Sequence, residues 1–164
     1  MASSPQLTEE LALLEALPAF ELFEREALQI IAFSSDVRQM RAGDTVFKMG
    51  QISDCGYLIL SGAITLDDGT PLKGKNAAIF DRGHLLGAQA LFAPTERPAT
   101  AIVREDCQVM RISRSLVFRV LETFPETARR LRDRVAMDAN ETVSIFGRVL
   151  SVINRDYQPD EVAA

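Results

Sequence analysis

The residues best placed to do chemistry in this chain are a glycine-led stretch, Gly83-His84-Leu85-Leu86-Gly87, and an arginine ten residues after its last glycine, in Glu96-Arg97-Pro98-Ala99-Thr100-Ala101-Ile102-Val103. An arginine guanidinium suits bidentate recognition of a phosphate, and free backbone N–H groups at the start of a short helix add anion contacts. Other chemistry finds little support. His84 is the single histidine, and it reads as a solvated loop residue. The metal sites of jelly-roll enzymes need several histidines, which this chain cannot supply. Cys55 and Cys107 lack C-x-x-C spacing; Cys55 is expected to be partly exposed beside a turn, and Cys107 to lie on a buried strand. No Ser-His-Asp or Cys-His set is evident, so no catalytic residues, no metal site and no enzyme are expected.

Three kinds of sequence must position these residues. Residues 7 to 33 place Leu7, Leu11, Leu14 and Leu17, then Phe23, Ala27, Ile30 and Ile31, at helical spacing. Thr8 with Glu9 and Glu10 could start the first helix, and Pro18 breaks it. From 36 to 113, apolar runs of four to six residues alternate with glycine-containing turns, the pattern of many short antiparallel strands. Asp67-Asp68-Gly69 is a hairpin signal within it. From Arg114 the period becomes helical again. Leu116, Val117, Val120 and Leu121 form a short helix ending near Pro125, and a long helix is expected from about 126 to 155. The expected fold is mainly β with flanking helices: a jelly roll, or double-stranded β-helix, of about eight strands, with N-terminal helices and a long C-terminal helix.

The ordered set of residues resembles the cyclic nucleotide-binding domain, the sensor module of the cAMP receptor protein and FNR families and of protein kinase A regulatory subunits. The resemblance covers about residues 11 to 135. Leu17-Pro18-Ala19-Phe20 is similar to that family's first-helix motif, and Ala42-Gly43-Asp44 with Phe47 and Gly50 to its first hairpin. Gly62 and Gly83 fall where the family turns, and Leu86 to Val103 match its phosphate-binding cassette. The resemblance implies a ligand site at Gly87, Ala88, Gln89, Ala90, Arg97, Pro98 and Ala99, with Arg97 as the phosphate-binding arginine and cAMP, cGMP or a related anion as ligand. Two positions depart from the family. Ala88 stands where the family has a glutamate that accepts from the ribose 2′-hydroxyl, and Pro98 stands where it has a small residue with a free N–H. Losing a hydrogen bond to a neutral hydroxyl costs roughly 0.5–1.5 kcal/mol and losing a donor to a phosphate roughly 1.5–3 kcal/mol. Weak binding follows, by about one to three decades. Gln89 and Glu96 are candidates to take over the ribose contact.

Composition sets the outer bounds. The 164 residues carry a net charge of −5, with 47% apolar and 25% charged residues. An acidic domain repels a phosphate backbone, so direct DNA binding is not expected. No apolar run reaches the roughly 18 residues of a membrane span, and no secretory signal opens the chain, so a cytoplasmic location is expected. The organisation expected is a jelly-roll domain over 1–135, a helical extension over 136–157 and a flexible tail over 158–164. Val143, Phe146, Leu150 and Ile153 form an apolar stripe at helical spacing. It suits either packing on its own domain or a homodimer, as in the cAMP receptor family. About ten residues follow Ile153, too few for the helix-turn-helix domain that such transcription factors carry. Two functional classes stay open: a regulatory sensor for a cyclic nucleotide or related anion, and a ligand-independent dimeric module that contacts a partner protein.

Overall fold

The computed structural model describes residues 4–69 and 78–140, with side chains as far as residue 137. Two compact units divide at Phe124/Pro125. The first opens with α1 (Pro5–Glu15), whose N-cap is Ser4: its hydroxyl accepts from Leu7 N–H, and Pro5 takes the first helical position. The helix therefore starts earlier than Thr8, because Ser-Pro supplies both capping features one turn sooner. A short 3-10 turn over Pro18–Phe20 leads to α2 (Arg25–Ser34), which buries Ala27, Leu28, Ile31 and Ala32.

Among the described residues the strands lie between Asp36 and Ser113. They are β1 (Asp36–Met40), β2 (Thr45–Phe47), β3 (Ile52–Ser53), β4 (Cys55–Asp67), β5 (Ala78–Asp81), β6 (Leu85–Leu86), β7 (Thr95–Glu96) and β8 (Thr100–Ser113). Six form one antiparallel sheet in the order β1-β8-β4-β5, with β2 also on β8 and β6 also on β4; β3 and β7 pair separately. This is the mainly β jelly roll with flanking helices expected from the sequence. Its spine is the long pair β4–β8, running from Cys55 opposite Ser113 to Asp67 opposite Thr100. Thirteen residues of strand would extend about 43 Å at 3.3 Å each, so this pair must bend to enclose a core. Register shifts between Ile59 and Ile64 supply the bend. Gly62 sits there with φ +82°, and a Cβ on it would overlap the Asp106 carbonyl. Gly62 thus marks a bulge inside a strand pair, not a turn between strands. Gly69, with φ +75°, donates its N–H to Asp67 Oδ1, and the residues beyond it lie outside the described ones. The partner strand β5 places Ala78 opposite Leu66 and Asp81 opposite Ala63.

The core inside the sheet comprises Phe47, Cys55, Tyr57, Ile59, Ile64, Leu86, Ala101, Val103, Cys107 and Val109. Both cysteines are buried, with Cys55 2% exposed. This corrects the partial exposure expected for Cys55: it begins β4 and faces inward. Beyond β8 comes α3 (Arg114–Thr123), capped by the Ser113 hydroxyl on Leu116 N–H and buried along Leu116, Val117 and Val120. The second unit carries α4 (Pro125–Asn140). The stripe Val143, Phe146, Leu150 and Ile153 lies outside the described residues, as does most of the extension and the whole tail expected from the sequence.

Candidate functional site

Arg97 is the centre of the site, and its backbone is fixed before its side chain is placed. Its N–H donates to the Gln51 carbonyl at 2.8 Å, and its carbonyl accepts from Gly50 N–H at 2.8 Å. Thr100 Oγ1 accepts from Met49 N–H at 3.0 Å on the same stretch. The loop after β7 is therefore stitched to the β2–β3 turn on both sides of the arginine. The Arg97 side chain then runs inward. The residue is only 5% exposed. Its Nη2 donates to the Cys55 carbonyl at 2.7 Å and lies 3.4 Å from Cys55 Sγ. The guanidinium carbon stands 4.2 Å from the Phe47 ring centroid and 5.7 Å from that of Tyr57. Phe47 and Tyr57 are themselves 6.0 Å apart, so the cation is held against two aromatic rings, an attraction of about 0.5–2 kcal/mol for the better contact.

Gly87 closes the slot from the other side. It has φ +79°, and a Cβ at this position would collide with Arg97 Nη1. Both facts favour glycine here: the backbone conformation disfavours a side chain, and the end of Arg97 would have to shift to admit one. The short 3-10 helix Ala88–Leu91 starts from this glycine, with Ala90 N–H bonded to the Gly87 carbonyl at 3.0 Å.

A cavity of about 190 Å³ opens onto this arrangement, lined by Phe47, Leu66, Leu86, Gly87, Ala88, Gln89, Thr95, Glu96, Arg97, Pro98 and Ala99. Six of the seven positions singled out from the sequence thus line one cavity: Gly87, Ala88, Gln89, Arg97, Pro98 and Ala99. Ala90 does not; it is fully buried on the inner side of the 3-10 helix, its methyl directed into the core. Gln89 and Glu96, the two candidates to replace the missing ribose acceptor, are both in the lining. Sequence reasoning missed Phe47 and Tyr57 as the aromatic bed of the arginine, and Cys55 as its acceptor. A carbonyl acceptor leaves no trace in residue type, so only the aromatic character of positions 47 and 57 could have signalled it.

Charge accounting at the site is unusual. Among the described residues no carboxylate forms a salt bridge with Arg97. A buried cation without a counter-charge is costly unless hydrogen bonds and ring faces compensate, and it favours any anion that reaches it. Burial also pushes the Tyr57 hydroxyl above its ordinary range, helped by its neighbour Cys55 and opposed by Arg111. His84 stands apart from the arginine's contacts, in the turn after β5. Its Nδ1 lies 3.1 Å from Asp81 Oδ1 with both side chains more than half exposed. That is the solvated loop histidine expected. Among the described residues no group of three or more His, Cys, Asp or Glu could hold a metal.

Comparison with known proteins gives a consistent result. The family model described as "Cyclic nucleotide-binding domain" matches residues 37–124, more than half of the chain. The chain is 28% identical over 105 residues to the rat (Rattus norvegicus) patatin-like phospholipase domain-containing protein 7, covering 62% of this chain and 8% of that protein. It is 27% identical over 119 residues to a cGMP-dependent protein kinase of Eimeria tenella, covering 73% of this chain and 12% of the kinase. The chain thus spans about a tenth of the length of these curated relatives. Among solved structures it is similar to a cyclic nucleotide-binding-like protein from Brucella abortus, with 35% identity, a TM-score of 0.62, and coverage of 70% of this chain and 98% of that one. A matched segment running from β1 through the arginine slot to the end of α3, on this fold, places the chain in the cyclic nucleotide-binding domain family.

Proposed function

We propose that this chain is a regulatory sensor module that binds a cyclic nucleotide, cAMP or cGMP, or a related anion weakly, and passes the signal on through a homodimer or a partner protein. The observation that carries the reading is the Arg97 guanidinium: 5% exposed, without a carboxylate among the described residues, and bordering a cavity with Gly87. A phosphate offers two acceptor oxygens to such a group and neutralises its charge. Family membership supports a regulatory rather than a catalytic part, and the kinase and phospholipase relatives are many times longer than the matched segment.

The weak grip follows from the lining. Ala88 offers no side-chain acceptor for a ribose hydroxyl, and Pro98 offers no N–H. Gln89 and Glu96 are near enough to the cavity to supply a substitute acceptor, and Glu96 also opposes a second negative charge. The same two departures favour the alternative reading, a ligand-independent interaction module on this fold. Calorimetric titration with cAMP and cGMP separates the two. The double variant Ala88→Glu with Pro98→Ala should bind at least tenfold more tightly than the unaltered chain, about 1.4 kcal/mol. A variant that folds and still binds neither nucleotide would move the assignment to the interaction module.

A further inference from the structure

Arg114 is the first residue of α3, and a cation there opposes the helix dipole. Its location is explained by what it reaches. Nη1 lies 3.1 Å from the Ser53 carbonyl and 3.3 Å from the Ala90 carbonyl. Its own backbone N–H donates to the Asp54 carbonyl at 2.8 Å. The next carbonyl, that of Cys55, is the one that accepts from Arg97. Three consecutive carbonyls at the β3–β4 joint are therefore taken by two arginines: Ser53 and Asp54 by Arg114, Cys55 by Arg97. Arg111 adds a third hold on the same joint, its Nη2 reaching the Asp54 carboxylate at 3.3 Å.

The second acceptor of Arg114 belongs to the opposite wall. Ala90 lies three residues after Gly87, within the turn of 3-10 helix that Gly87 starts. Arg97 occupies the gap between these walls, bonded to Cys55 on one side and abutting Gly87 on the other. One guanidinium nitrogen of Arg114 thus bolts together the two backbone segments that define the Arg97 slot, and nothing in the cavity lining includes Arg114 itself.

We propose that Arg114 is a positioning residue for the anion site: it sets the width of the Arg97 slot, and with it anion affinity, without touching the anion. The affinity part of this proposal rests on the reading of Arg97 as the anion-binding group; the positioning part does not. A guanidinium is suited to the role because it holds two carbonyls in a fixed plane, whereas a lysine ammonium on a flexible stem holds them loosely.

The test uses the full chain with Arg114→Met and the milder Arg114→Lys. The first readout is the Arg97 Nε–Hε resonance by NMR, without ligand. In the unaltered protein it should be a single signal displaced by the Phe47 ring. Arg114→Met should move it toward the position of a free arginine, and Arg114→Lys should restore part of the displacement. An unmoved resonance in both variants overturns the proposal. Should Arg114→Met fail to fold, Arg114→Lys alone decides, by an intermediate shift or none. The second readout is titration with cAMP. Binding at least tenfold weaker in Arg114→Met, partly rescued in Arg114→Lys, supports the proposal, and equal affinities overturn its affinity part. If the unaltered chain binds no cAMP, the anion-site reading fails, while the Arg97 resonance still decides whether Arg114 sets the slot.

Discussion

Three glycines with similar positive φ provide a graded test of how this fold is held. Gly43, Gly62 and Gly87 have φ of +93°, +82° and +79°, but a Cβ would meet different things at each. At Gly43 it would meet nothing within 4 Å; at Gly87 it would meet the end of the Arg97 side chain; at Gly62 it would meet the Asp106 carbonyl and the Cys107 backbone. Alanine at any of them carries the left-handed strain of about 1–2 kcal/mol, offset by about 0.4–1 kcal/mol from the stiffer unfolded chain. Gly43→Ala should therefore destabilise by about 1 kcal/mol. Gly62→Ala adds overlap with backbone in a packed strand pair, worth roughly 1–3 kcal/mol more, and should cost about 3 kcal/mol. Gly87→Ala should fall between them, because Arg97 can swing out and recover hydration. That variant alone should lose the stacking of Arg97 on Phe47. Equilibrium unfolding in urea gives the ranking, provided the slope with denaturant is unchanged. If Gly62→Ala costs no more than Gly43→Ala, the close approach at the β4–β8 bend is wrong.

Other outcomes follow from burial and from the C-terminal stripe. Burial holds the Cys107 thiol above its ordinary range, with the charges of Asp106 and Asp44 acting in the same direction. Its folded-state value exceeds the unfolded one near about 8.5, so that part of the stability is complete below that pH and is lost as pH rises through the folded value; a Cys107→Ala variant should show a shallower alkaline decline in urea midpoints. Both cysteines should resist a thiol reagent until the protein unfolds, and rapid labelling of Cys55 under native conditions would contradict its place behind Arg97. If the stripe forms a homodimer, Phe146→Glu with Leu150→Glu should halve the mass seen by light scattering, and an unchanged dimeric mass would place the interface elsewhere.

The sequence made much of this architecture readable because backbone demands select residue types. Glycine-punctuated apolar runs located the strand region between Asp36 and Ser113, and the Gly87–Arg97 spacing identified two residues that meet across the slot. What escaped were interactions between distant positions through groups every residue carries. The Cys55 carbonyl lies 42 residues from its Arg97 partner, and the Ala90 carbonyl lies 24 from Arg114; residue type does not mark either acceptor. Gly62 was legible as a glycine that mattered but not as a bulge, since a bulge depends on the partner strand. The start of α1 was hidden by a second plausible cap four residues downstream, and Ser4 prevails because Pro5 is preorganised for the first turn.

The most direct measurement is a calorimetric titration of the unaltered chain and of Arg97→Met with cAMP, at matched salt and with folding checked by circular dichroism. The account predicts weak, saturable binding by the unaltered chain and none by Arg97→Met. Equal affinity in the two proteins, or the absence of any binding by the folded unaltered chain, would contradict the claim that this buried arginine is the anchor of an anion site.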